Sequence, residues 1–157
     1  MLRIGLISDT HGLLRPEAEA ALAGCDGILH AGDIGDAGIL ERLARIAPVT
    51  AVRGNNDTGS WAADIPETVT VVLAGVRIHV LHDLAALALD PTREGIAVVM
   101  AGHSHRPLVR ESGGVLYVNP GSAGPRRFKL PVSVAQLRLE AGGVSARVIE
   151  LQVVPQT

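Results

Sequence analysis

What this chain lacks narrows it first. Only one of its 157 residues is a cysteine, Cys25, which excludes an intrachain disulfide and a thiolate metal cage and fits a reducing compartment. Three residues are aromatic, Trp61, Tyr117 and Phe128, too few for the base-stacking platforms of single-strand nucleic-acid binders. Positive charge is not in excess: 14 Lys and Arg stand against 16 Asp and Glu, a formal net charge of −2. No broad basic field therefore draws the chain to polymeric nucleic acid or to an anionic membrane. No apolar run approaches the roughly 18 residues of a membrane span, and Met1 to Ile7 lacks the long apolar region of a signal peptide. The expectation is a cytoplasmic protein.

What is abundant is aliphatic. Apolar residues make up 47% of the chain, so the core must be built from Ala, Val, Leu and Ile. Residues 1–157 read as a single domain without repeat, linker or low-complexity stretch, long enough to bury roughly two-thirds of its unfolded surface. Pro16, with Glu17 and Glu19 behind it, opens a helix that Gly24 closes. Asp36 caps a second helix, marked by Ile39, Leu40, Leu43 and Ile46 at helical spacing. Ala74-Gly75, Ser112-Gly113-Gly114 and Gly142-Gly143 each separate two apolar alternating runs, the mark of a hairpin.

Chemistry concentrates where five apolar runs end. Ile4 to Ile7 leads into Ser8-Asp9-Thr10-His11, Ile28 to Ala31 into Gly32-Asp33, and Val49 to Val52 into Gly54-Asn55-Asn56-Asp57. Val76 to Leu81 leads into His82-Asp83, and Ile96 to Ala101 into Gly102-His103-Ser104-His105. Locally, Asp9 also reads as a helix cap with His11 solvated, and the two asparagines as a turn. Two histidines two apart after a glycine are harder to explain as core. Parallel strands joined by right-handed crossovers put their carboxyl ends on one sheet edge. Seven donors then converge: Asp9, His11, Asp33, Asn55, His82, His103 and His105. Seven exceed one tetrahedral zinc and suit two cations sharing a carboxylate, with positions open for water. Oxygen and nitrogen donors point to manganese, iron, zinc or nickel. His30, inside its strand, is either a hydrogen-bonding support for the site or a core histidine. His79 lies on the opposite pleat face from His82 and is structural. Trp61 is a lid or a surface anchor. Arg126-Arg127-Phe128-Lys129 is a solvated loop or a holder of substrate phosphate.

In this order, Asp-x-His, Gly-Asp, Gly-Asn, His and Gly-His-x-His resemble the calcineurin-like metallophosphoesterases, from Ile4 to about Ser122. Val118-Asn119-Pro120-Gly121-Ser122 and the small size resemble their small prokaryotic phosphodiesterase (YfcE-like) branch. The resemblance implies an α/β fold, a four-layer α/β/β/α sandwich of two mixed sheets. It implies two divalent transition metal ions, manganese first, with iron, zinc or nickel as alternatives. Asp9, His11, Asp33 and His105 would take one; Asp33, Asn55, His82 and His103 the other, with Asp33 bridging. Cations about 3.5 Å apart would lower the pKa of a shared water and clamp a phosphoryl oxygen for in-line attack on a phosphodiester.

Asp33, Asn55, Asn56, Asp57 and His82 are the implied catalytic residues. Asn56 stands where the phosphatase branches carry a histidine that protonates the leaving group. Weak acid assistance and a preference for diesters with good leaving groups follow. Asp83-Leu84 replaces the Gly-His often found after the position of His82, and the short apolar loop from Leu84 to Gly95 implies a shallow pocket. The expected substrate is a small phosphodiester or nucleotide-like molecule, with polymeric nucleic acid disfavoured, and exposed hairpin edges leave room for a homodimer. Two rival readings remain: a non-catalytic scaffold of the same fold, as in a subunit of the retromer coat, and a metal-dependent nuclease.

Overall fold

Two five-stranded mixed sheets pack face to face in the computed structural model, which describes residues 1–127 and 129–153; Phe128 of the basic cluster lies outside them. The first sheet holds β1 (Leu2–Ile7), β2 (Gly27–His30), β3 (Val49–Ala51), β9 (Ser133–Glu140) and β10 (Gly143–Glu150), in the order β10-β9-β1-β2-β3. Strands β1, β2 and β3 run parallel, and the β9–β10 hairpin joins them antiparallel along β1. The second sheet holds β4 (Thr68–Leu73), β5 (Val76–Leu81), β6 (Val98–Met100), β7 (Leu108–Ser112) and β8 (Val115–Asn119), in the order β4-β5-β6-β8-β7. Here β5, β6 and β8 are parallel, with β4 and β7 antiparallel at the edges. The five donor-bearing strands are thus shared between two sheets rather than lined along one.

Strand alternation builds the layers. Ile4, Leu6, Leu29 and Leu137 of the first sheet meet Ile78, Val80, Val98, Met100 and Val118 of the second, all buried and all aliphatic except Met100. Ile7, Ile28 and Val134 face the other way, against α1 (Pro16–Leu22) and α2 (Ala37–Ala44), through Ala18, Leu22, Ile39 and Leu43. Burying each of these large aliphatic side chains contributes about 1.5–3 kcal/mol. Pro16 starts α1 where its missing N–H costs nothing, and the Asp36 carboxylate caps α2 by accepting from Gly38 N at 2.6 Å. On the outer face of the second sheet, Leu81, Val99, Ala101 and Val115 form a third cluster with Leu84, Leu87, Leu89 and Tyr117. That outer layer is a loop with one short 3-10 turn, Leu84–Ala86. No helix among the described residues is long and apolar enough to cross a membrane.

Candidate metal centre

Each candidate donor sits in the first residues past a parallel strand. Asp9 and His11 follow β1, Asp33 follows β2, Asn55 to Asp57 follow β3, His82 follows β5, and His103 and His105 follow β6. Backbone bonds carry the β1–β2 pairing beyond the sheet: Asp9 N donates to Gly32 O (3.0 Å) and His11 N to Asp33 O (2.9 Å). The two sheets are joined at the same edge. His103 N donates to Asp9 Oδ2 (3.1 Å), and His82 Nδ1 donates to Ala31 O (2.8 Å). The glycines of the Gly-Asn and Gly-His pairs are there because loops touch. A Cβ on Gly54 would collide with Asp33 N and Oδ1, and one on Gly102 with Ser8 Oγ and, at 2.6 Å, Asp9 Oδ2.

The backbone is strained at this edge. Among the described residues six non-glycines have left-handed φ, and five are candidate donors: Asp9 (56°), His11 (46°), Asp33 (55°), His103 (69°) and His105 (63°). Such conformations cost on the order of 1–3 kcal/mol each and gather where a site needs side chains aimed together. The sixth, Ala74, makes the β4–β5 turn.

Six of the donors form two touching groups. Asp9, His11 and His105 place one ligand atom each within 4.8 Å of one another, and so do Asp33, His82 and His103. Asp33 Oδ2 lies 3.2 Å from His82 Nε2 and 3.7 Å from His11 Nε2, so one carboxylate reaches both groups. Asp9 Oδ1 lies 3.3 Å from His105 Nε2 and 3.9 Å from His82 Nε2. Among the described residues, three buried side-chain atoms have no hydrogen-bond partner: Asp9 Oδ1, His11 Nε2 and His105 Nδ1. All three belong to the first group. Buried polar atoms are otherwise almost always satisfied, so these orphans mark a place built for something else. A carboxylate with imidazole nitrogens fits a divalent transition metal.

A model of the calcineurin-like phosphoesterase superfamily domain matches residues 2–142. The chain belongs to that superfamily. It is 34% identical to a probable metallophosphoesterase of Methanothermobacter thermautotrophicus, over 93% of this chain and 91% of that protein. It is 27% identical to a phosphodiesterase of Methanocaldococcus jannaschii, over 76% of this chain and 83% of that one. In fold it resembles Vps29 of Chaetomium thermophilum, with a TM-score of 0.77, 20% identity, and cover of 96% and 97% of the two chains.

In this calcineurin-like chain the charges at the site oppose one another in pairs. Burial alone would raise the Asp33 carboxyl, but the His82 hydrogen bond, the Asn56 N–H and the His82 and His11 charges outweigh it, and its pKa falls. Burial would lower His82, but Asp33, the Ala31 carbonyl and Asp9 outweigh it, and its pKa rises. With Nδ1–H given to Ala31 O, the Nε2 atom faces Asp33, so an imidazolium proton occupies the place a cation would take. His105 goes the other way. Burial lowers it, Asp9 opposes that, and the Arg127 charge adds to the lowering. Arg127 of the basic cluster therefore lies within electrostatic reach of the centre, while Arg126 Nε donates to Leu130 O (3.2 Å).

The remaining candidates occupy different places. Asn55 is exposed in a hollow of about 440 Å³ that it lines with Arg53, His82, Asp83 and His103. Asn56 turns inward: its N–H donates to Asp33 Oδ1 (2.9 Å) and its Nδ2 to Asp33 Oδ2 (3.1 Å). Asp57 is 3% exposed, and its carboxylate accepts from Ile34 N, Gly35 N and Gly54 N at 3.1, 3.1 and 2.9 Å. It braces the loops after β2 and β3. His30 accepts from Gly32 N at Nδ1 (3.0 Å), so its other nitrogen carries the proton toward Thr10 Oγ1 (3.0 Å), whose own hydrogen goes to Ile34 O. His79 bonds Thr70 on β4 (2.8 Å).

One expectation is corrected. Trp61 is neither lid nor anchor: it packs half-buried against the helix-side core, because its 3-10 turn, Ser60–Ala62, lies on that side. An apolar hollow of about 610 Å³ opens beside His103 and Asp83, next to the loop that lies over the outer face of the second sheet.

The sequence reading also missed supports of the site. Ser8 Oγ donates to Asp9 Oδ2 (2.7 Å), Ser122 Oγ to Asp9 O (3.0 Å), and Asn119 Nδ2 to Gly102 O (3.0 Å) and Ser104 Oγ (3.1 Å). The Asn-Pro-Gly-Ser segment was visible, but nothing in it says which loop it holds.

Proposed function

We propose that this chain is a two-metal phosphodiesterase acting on small phosphodiesters, with Asp9, His11, Asp33 and His105 as ligands of one divalent ion and Asp33, Asn55, His82 and His103 of the other. The observation that carries the reading is the pair of neighbouring donor groups, the first of which holds three buried atoms without a hydrogen-bond partner. The 27% identical phosphodiesterase supports the diester. When bound, two such cations activate a water at neutral pH and neutralise charge building on the phosphoryl oxygens; manganese is the first choice among manganese, iron, zinc and nickel.

The chain's own residues do the rest. Asp33 would serve both ions, since its Oδ2 lies near His82 and His11 alike. The Ala31 carbonyl fixes the His82 tautomer and aims Nε2 into the centre. Asn55 offers a neutral oxygen from the hollow wall, which leaves the cationic charge undiminished for the phosphate. Asn56 holds Asp33 and carries no titratable proton, so the departing oxygen receives little acid assistance and good leaving groups are favoured. Asp57 positions both loops without touching substrate. The test is hydrolysis of bis(4-nitrophenyl) phosphate against 4-nitrophenyl phosphate by chelator-treated protein with and without Mn²⁺. The expected result is metal-dependent turnover that favours the diester. Equal rates with and without metal, or a monoester preference, contradict the proposal.

A further inference from the structure

The apolar hollow has a structural origin. Along β6 the alternation sends Val98 and Met100 into the core between the sheets and Val99 outward, with Ala101 beyond the strand end on the same outer side. Tyr117 of β8 also joins the outer cluster. A loop with one 3-10 turn lies over this face, where Val99 and Ala101 are buried and Tyr117 is half-buried. Beside it opens a hollow of about 610 Å³ walled by Leu84, Val99, Ala101, Pro107 and Tyr117, a volume suited to a small organic group.

Its position decides the occupant. Asp83 and His103 line this hollow and also the one that contains Asn55 and His82. The two cavities share a wall, and that wall carries a candidate metal ligand. A phosphate seated at His82 and His103 can pass one of its ester arms across it. Asn119 and Ser104 are already engaged there: Asn119 donates to Gly102 O and Ser104 Oγ and accepts from Gly121 N (2.9 Å), and Ser104 Oγ also accepts from Arg106 N (3.2 Å). The side chains of Leu84, Val99, Ala101, Pro107 and Tyr117 leave most of the wall apolar, and an apolar arm forfeits no hydrogen bond against it.

We propose that this hollow is the subsite for a bulky apolar ester arm, alkyl or aryl, of the phosphodiester substrate; the proposal rests on the phosphodiesterase reading. The test is methyl NMR of the metal-free and zinc-loaded protein titrated with diphenyl phosphate and with dimethyl phosphate. Diphenyl phosphate is expected to shift the Leu84 and Val99 methyls saturably and to bind at least about tenfold more tightly than dimethyl phosphate. Leu84→Asn is expected to shrink that ratio toward one. Unmoved Leu84 and Val99 methyls, or equal binding of the two phosphates, overturns the subsite. If bis(4-nitrophenyl) phosphate is still turned over, the phosphodiesterase reading survives that failure. Toluene binding as tightly as diphenyl phosphate, with no turnover of any diester, overturns both and marks the hollow as a docking site for an apolar partner segment.

Discussion

Gly54→Ala isolates the close approach on which the centre depends. The added carbon would run into Asp33 N and Oδ1 and stand 2.8 Å from Asp33 Cγ, where ordinary contact begins at about 3.4 Å. The carboxyl carbon alone must therefore recede by about 0.6 Å, roughly three times the ~0.2 Å tolerance of a metal–ligand distance. Asp33 is the residue that reaches both donor groups, so both ions should bind more weakly. We expect a loss of at least about tenfold in Mn²⁺ affinity by isothermal titration, the scale of disturbed ligand support. Overpacking should cost about 1–3 kcal/mol of stability, a Tm drop of about 3 °C per kcal/mol for a domain this size. Gly27→Ala is the control, since its carbon meets Ile4 Cδ1 at an unstrained 3.5 Å. An unchanged metal affinity in Gly54→Ala, or an equal loss in Gly27→Ala, refutes the reasoning.

Three further outcomes follow from other contacts. Burial pushes His30 down to about 3, and an unfolded histidine titrates near 6.5. Stability from neutral His30 is therefore complete above about pH 6.5 and is lost as pH falls through that value, by about 1.4 kcal/mol per unit, levelling near pH 3. Urea melts from pH 7 to 5 should show this slope flattened in His30→Gln; equal slopes contradict it. Asn56→His should raise 4-nitrophenyl phosphate turnover relative to the diester by supplying a proton donor, and an unchanged ratio removes the case for missing acid assistance. Asp57→Asn sets an amide against a backbone N–H at Gly35 or Gly54. It should cost about 1–3 kcal/mol in thermal unfolding, and an unaltered Tm contradicts its bracing role.

Much of the candidate site was legible because donors placed after strands leave a local mark: an apolar run, a glycine, then Asp or His. The Gly-Asn and Gly-His pairs were readable in the same way, since only glycine permits another loop so near. The left-handed φ of Asp9, His11, Asp33, His103 and His105 was not, because nothing in an aspartate or histidine announces that conformation. Asp57 reads on its own as a loop acid, and its bracing role appears only once the loops after β2 and β3 are side by side. The helices were readable from Pro16, Asp36 and the spacing of Ile39 and Leu43. The apolar hollow was not, since it depends on how the outer loop lies across the second sheet. Trp61 went astray for a related reason. A lone aromatic in a Gly- and Pro-punctuated loop does not say which face of the sandwich that loop will cross.

The central claim is that loops from two sheets bring their oxygens and imidazoles to a pair of cations. Anomalous scattering across the manganese edge, on crystals soaked in Mn²⁺, tests it most directly. The account predicts two peaks, one among Asp9, His11 and His105 and one among Asp33, His82 and His103, with Asp33 within bonding distance of both. A single peak elsewhere, or none at saturating Mn²⁺, would contradict it.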